Sequence, residues 1–359
     1  MNDRPLTLRR DLFPIVRTVF YIGLLSFLVW LAGDVLLILF AGVLVSIFID
    51  GIATWIRAHS RIGHGASIAI ALLGLVLIFA VVAAFSAPDI AEQVGQLSVE
   101  LPRAFDNLHH QADQHKWARI LTDQLPKAND LRSPGIGLVR KATGALSATV
   151  VILARILLIA AAGVFMTIQP QLYRRGFLRL VPVPRRQRAA EVLDAVTANL
   201  RGWLVGKVLS AIMIGVATWT GLQLLHIPLA LILSVLAAIL SFVPNFGPIA
   251  AVIPAMLLGF LQSPTQALYV GLLYLVIQIL ESYLLTPWLA HRTADLPPAL
   301  TLITQIFMGV LFGGMGVILA APATAAGMVV VRMIYVEDVL GDHMEERTLP
   351  ERDRIPPPN

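Results

Sequence analysis

The chain has 359 residues, 57% of them hydrophobic and only 14% charged, with a formal net charge of +5 and a mean hydropathy of +0.78. A soluble globular domain carries about 25% charged residues, so these figures exclude a soluble enzyme, a disordered chain and a fibrous repeat. They leave an all-α, polytopic integral membrane protein, and the absence of cysteine excludes disulfides, Cys-ligated zinc and cysteine nucleophiles.

Apolar runs of about 20 residues can cross a ~30 Å hydrocarbon core at 1.5 Å per residue. The first 14 residues hold Arg4, Arg9 and Arg10 against Asp3 and Asp11. Spans are predicted at 15–33 and 35–50. The first is not a cleaved leader, because no A-x-A-like site follows it and a second apolar run begins after Gly33-Asp34. Residues 51–65 carry Arg57 and Arg61 and no acid, and a third span is predicted at 66–87. The region 87–148 balances seven basic against seven acidic residues. It has helical patches at 91–108 and 111–125 and breakers at Pro126 and Ser133-Pro134-Gly135. A span at 149–169 leads into 170–202, where seven arginines face only Glu191 and Asp194. Within it, 183–200 has Val192, Leu193, Val196 and Leu200 on one side and reads as an amphipathic helix on a membrane surface rich in anionic lipid. Further spans are predicted at 203–225 and 267–286, with two interrupted apolar blocks at 228–261 and 298–334. The tail from 337 holds seven acids and three arginines.

The basic segments alternate correctly if the N-terminus, 51–65 and 170–202 are cytoplasmic and 87–148 lies outside. The expected organisation is N-terminal spans over 1–87 and an extracytoplasmic helical region over 88–148. A span with the basic helix follows over 149–202, then a core over 203–336 and an acidic cytoplasmic tail over 337–359.

The last 130 or so residues repeat themselves. Ile227-Pro228-Leu229-Ala230-Leu231 resembles Leu296-Pro297-Pro298-Ala299-Leu300. Each opens an apolar half, then a breaker: Pro244-Asn245-Phe246-Gly247-Pro248 in one, Gly313-Gly314-Met315-Gly316 in the other. Each breaker is followed by an apolar half containing Pro-Ala, at Pro254-Ala255 and Pro322-Ala323. A full span precedes each unit, and the charge pattern makes those spans cross in opposite directions. This predicts an inverted repeat of two broken or re-entrant hairpins, the best sequence pointer to a transport site. Unwound backbone cannot face lipid, so it must be buried or line a wet cavity.

At these residues the sequence resembles the AI-2E family of bacterial membrane transporters. The resemblance is carried by Phe242-Val243-Pro244-Asn245-Phe246-Gly247-Pro248-Ile249, by the stretch from Gln278 through Glu281 to Pro287, and by Gly313-Gly314-Met315-Gly316 through Pro322. It is strong over about 197–336 and weaker over the first 170 residues, and Phe246 stands where the family often has Ile. The resemblance implies about eight hydrophobic segments, an inner-membrane location, cytoplasmic termini and a homo-oligomer. It also implies transport, with autoinducer-2 of quorum sensing as the cargo in some members and Na⁺ or Li⁺ against H⁺ in others.

Glu281 is the only acid inside a clear span, where charge costs roughly 2.5–3.5 kcal/mol on insertion scales. A proton or cation relay fits it, as does a structural pair with Lys207 or Arg201. Arg155 is expected to snorkel to the headgroups, with Asp34 and Asp50 at the interface. Asn245, Gln278 and Gln305 are expected to line a cavity for a small hydroxylated solute, and Ser234 and Thr301 to bind helices together. The breakers Pro244, Gly247, Pro248, Gly313, Gly314, Gly316 and Pro322 shape the hairpins.

No phosphate loop, HExxH or G-x-S-x-G is present, and His110 and His115 are poorly spaced for zinc. No cofactor, metal, enzymatic activity or nucleic-acid partner is expected. The partners are a small solute, H⁺ or Na⁺, the bilayer and further copies of the chain. Solute export and cation antiport are both open on sequence, and a non-transporting envelope scaffold is the contrasting class.

Overall fold

The computed structural model describes residues 32–60, 62–112, 137–285 and 297–342. The predicted span at 15–33 (all but its last two residues), His115, the loop around 286–296 and the end of the acidic tail lie outside the described residues. Among those described, every regular element is helical.

In chain order the elements are α1 (Gly33–His59), α2 (His64–Ala112), α3 (Gly137–Ile168), α4 (Pro170–Arg179), a short 3₁₀ turn (Val183–Arg185), α5 (Arg186–Leu224), α6 (Ala230–Leu240), α7 (Phe246–Gln262), α8 (Pro264–Leu280) and α9 (Pro298–Val330). A π turn, Glu281–Leu285, continues α8, and another, Val331–Glu337, continues α9. Four segments are long and apolar enough to cross a membrane: Gly33–His59, Val183–Leu224, Pro264–Tyr283 and Pro298–Glu337. A fifth is reached if Leu153–Ile168 and Pro170–Arg179, bent by 89°, count as one. The described residues therefore support a multi-pass helical protein and do not reach the expected eight segments.

Two helices run further than their apolar content suggests. α2 continues through Pro88-Asp89 to Ala112, because a helix outside hydrocarbon needs no apolar surround. α5 joins the basic stretch and the following span into one 39-residue helix. Its side at Val196 and Leu200 packs on α1 and α9, beside Leu37, Leu44, Leu319 and Ala325, and Val192 one turn earlier is also buried. The apolar stripe read as lipid-facing is covered by protein.

α1 and α3 meet through small residues: a Cβ on Gly42 would sit 2.9 Å from Ala162 Cβ, and one on Gly163 2.5 Å from Val45. Small residues permit this approach where water-driven burial is absent. Thr167 Oγ1 donates to Ser46 Oγ at 3.1 Å across the same pair. Ser234 and Thr301, both buried, donate to the Leu231 and Pro297 carbonyls one turn back.

Charged ends are tied over long sequence distances. Arg155 donates to Asp34 at 2.9 Å, linking α3 to α1, and Arg201 pairs with Asp50. Arg155 is thus an ion-pair partner as well as an interfacial group. Arg188, at the start of α5, reaches Glu337 at 2.8 Å and Asp338 at 2.9 Å beyond α9. The start of α5, the end of α9, the end of α1 and the start of α2 share one end of the bundle, called here the basic end.

Candidate functional site

The site is built on two hairpins that follow antiparallel helices. The end of α5 meets the start of α8, where Gln266 donates to the Leu225 carbonyl. The earlier part of α5 meets the end of α8, where Lys207 meets Glu281. After α5, helices α6 and α7 form a hairpin whose base lies at the end away from the basic end. There the amide of Ile232 donates to Gln93 Oε1, 3.1 Å away in the far half of α2.

After α8, α9 also folds back. Gly313 has φ 64° and ψ −149°, outside helical backbone. Thr304 and Thr324 line one cavity of about 890 Å³ together with Leu300 and Gly327. In a straight helix 20 residues would separate them by about 30 Å. This second hairpin has its base at the basic end, where Glu337 and Asp342 border the same cavity. The bases of the two hairpins therefore lie at opposite ends of the bundle.

Both breaks depend on close backbone approach. A Cβ at Gly247 would lie 1.9 Å from the Leu240 carbonyl oxygen, and one at Gly316 would lie 2.0 Å from that of Met308. At the first break Asn245 has φ 66° and ψ −53°, and the Phe246 amide donates to the Pro244 carbonyl at 2.8 Å. That is a γ-turn of the rare, strained kind, a conformation that persists only where its surroundings hold it. Pro248 occupies the first turn of α7, where an amide would have no helical partner. Pro322 is buried in the second half of α9, and Gly314 faces open space.

The polar candidates assemble as two groups. In the first, Gln305 is fully buried and joins the hairpins. Its Nε2 donates to the Pro244 carbonyl at 2.8 Å, and its Oε1 accepts from Asn245 Nδ2 at 3.3 Å. One amide thereby reads both the strained turn and the side chain at its centre. Replacing Gln305 by Leu removes both hydrogen bonds between the hairpins, while the Pro244 carbonyl keeps the Phe246 amide and the exposed Asn245 amide can turn to water, so the cost should be about 1–2 kcal/mol. A lowered unfolding midpoint in detergent is the expected result; an unchanged midpoint for the Leu variant counts against the bridge.

In the second group Glu281 is the centre. Its Oε1 accepts from Ser210 at 2.5 Å and lies 3.4 Å from Lys207 Nζ, while its Oε2 accepts from Gln278 at 3.2 Å. The Glu281 and Lys207 side chains are 13% and 17% exposed, so the pair is largely withdrawn from solvent. Glu281 also opens the π turn after α8, and single π turns recur at functional positions. Ser210 was not among the predicted residues. It lies three residues after Lys207, so helical spacing places both on one face of α5. Arg201, the other partner considered for Glu281, is taken by Asp50.

With this geometry in view, similarity to known proteins is informative. The profile of the AI-2E family transporter matches residues 18–335. The chain belongs to the AI-2E transporter family. The "Putative transport protein YueF" of Bacillus subtilis is 26% identical over 179 residues, 50% of this chain and 47% of that protein. A Thermotoga maritima protein named as a transport protein is 25% identical over 84% of this chain and 91% of its own length. The "AI-2 transport protein TqsA" of Escherichia coli is 28% identical over 46% of this chain and 50% of its own length. Several of these alignments, that with YueF among them, span about half the length of the relative matched. Both hairpin breaks and Glu281 of this AI-2E transporter fall inside the residues that the family profile covers.

Proposed function

We propose that this AI-2E transporter is a secondary transporter that exports a small polar solute such as autoinducer-2, coupled to protons through Glu281. The observation that carries the reading is the Gln305 bridge. It places uncharged donors and acceptors, including the Pro244 carbonyl at the γ-turn, where the two broken helices meet. Such groups suit a neutral hydroxylated solute better than a bare cation, which collects several carboxylates or carbonyls. The name of the Escherichia coli relative agrees with that solute class. Glu281 supplies a carboxyl group for proton exchange, held between Lys207, Ser210 and Gln278. The exposed arginines of the basic end support a cytoplasmic placement for that end, and we expect the working unit in the inner membrane to be a homo-oligomer.

The test is flux into liposomes holding the purified protein, with an internal pH dye and imposed gradients of autoinducer-2, Na⁺, Li⁺ or K⁺. A pH signal that needs the organic solute and disappears in Glu281→Gln is expected. A signal driven by Na⁺ or Li⁺ alone would replace this reading with cation antiport. Silence with every gradient, together with no uptake of labelled solute, would leave a non-transporting scaffold.

A further inference from the structure

We infer that the junction of α2, α3 and α4 at the basic end is a binding site for the phosphate headgroup of an anionic phospholipid. The site is a cavity of about 660 Å³ lined by His64, Gln169, Gln171, Leu172, Arg175 and Arg179, among others. That volume is in the range of small-ligand pockets.

Charge accounting singles out its two arginines. Of the seven arginines between 170 and 202, Arg174 pairs with Asp194 at 2.6 Å, Arg188 with Glu191, Glu337 and Asp338, and Arg201 with Asp50. Arg186 donates to the carbonyls of Val181 and Arg179. Arg175, Arg179 and Arg185 carry no carboxylate partner among the described residues. Of these three, Arg175 and Arg179 line the cavity. They stand four residues apart on α4, a spacing at which like charges repel on a helix. A bound anion would remove that repulsion. His64, which also lines the cavity, has Arg57 Nη1 3.3 Å from its Nδ1, a further cation nearby.

The surroundings identify the anion as a lipid. α4 turns 89° from α3, so if α3 crosses the bilayer, α4 lies along its surface. Leu172, Phe177 and Leu180 are 61%, 52% and 84% exposed, which suits acyl chains and not water. Trp55, 65% exposed near the end of α1, marks the depth at which aromatic side chains collect between hydrocarbon and headgroups. Guanidinium groups at that level bind phosphate bidentately. A free phosphate would use the arginines alone and leave the apolar side of α4 uncovered.

The experiment titrates the full chain, purified in detergent, with short-chain phosphatidylglycerol, phosphatidylcholine or inorganic phosphate. It follows the unfolding midpoint and counts retained lipid by native mass spectrometry. Phosphatidylglycerol is expected to raise the midpoint and remain bound, while the other two do neither. Arg175→Gln/Arg179→Gln is expected to weaken the phosphatidylglycerol response about tenfold, Arg175→Lys/Arg179→Lys to retain most of it, and Arg185→Gln to leave it unchanged. If the double Gln variant does not fold, the single Gln variants carry the same comparison. An equal response to phosphatidylcholine or to inorganic phosphate overturns the assignment, as does an Arg185→Gln loss matching that of the cavity pair.

Discussion

A methyl group placed at Gly247 or at Gly316 should cost about 3 kcal/mol or more, beyond ordinary overpacking. The new Cβ would sit 1.9 Å from the Leu240 oxygen in one case and 2.0 Å from the Met308 oxygen in the other. Each obstacle is backbone held in a helix, so no side-chain rotation relieves it. The neighbouring glycines of the second break provide the contrast. Gly313 has open space around it but φ 64° and ψ −149°, a backbone region open essentially to glycine alone, so Gly313→Ala should cost about 1–3 kcal/mol through backbone strain alone. Gly314 has open space and no positive φ, so Gly314→Ala should be neutral or stabilising by up to about 1 kcal/mol. Yields of monodisperse protein and unfolding midpoints should rank Gly314, Gly313, then Gly316 and Gly247 in order of increasing damage. A Gly316→Ala protein as stable as the parent would mean that the α9 halves do not close as described.

The second large effect concerns the Glu281–Lys207 pair. Removing one member of a largely buried ion pair strands the other, at about 3–5 kcal/mol, whereas removing both with apolar or neutral groups of similar size is often neutral. Glu281→Gln and Lys207→Met should each lower the unfolding midpoint markedly. The double variant should recover most of that loss, because no uncompensated charge is left. Proton-linked flux should stay absent in the double variant, since no carboxyl is present to exchange a proton. Stability losses that simply add would show that the two side chains do not interact. Flux surviving in the double variant would remove Glu281 from the coupling step.

The class of the protein and the places where its helices break were legible in the sequence for a simple reason. Proline clusters and glycine runs inside apolar blocks have few uses in hydrocarbon. Glu281 was legible as a lone acid in an apolar span, and Lys207 as the cation at matching depth. Other contacts between distant segments were not legible. Arg155 read as a lone snorkelling cation because its partner Asp34 is 121 residues away, and nothing local marks the pairing. Asn245 and Gln305 were each expected to line a cavity, but not to bind one another across 60 residues. The side of α5 at Val196 and Leu200 failed differently. A stripe of apolar residues specifies that something apolar covers it, and α1 and α9 satisfy that demand as well as lipid does. Helix over 91–108 was legible, but its continuity with the apolar stretch before it was not, because Pro88 and the drop in apolar content suggest a break that the helix to Ala112 does not have.

The Gln305 bridge also bears on how often the two hairpins part company. It consists of two uncharged hydrogen bonds, each worth a net 0.5–1.5 kcal/mol or so. Were those bonds all that separates the joined arrangement from a parted one, roughly 1–15% of molecules would be parted at any moment. A charged clasp at the same place would make that population negligible, and an apolar one would give no preference for a particular visitor. A solute presenting one acceptor to the Gln305 amide and one donor to its oxygen would replace what is lost on parting. On the proposed function, the cargo itself would then set the occupancy of the parted state, and an empty transporter would rest closed.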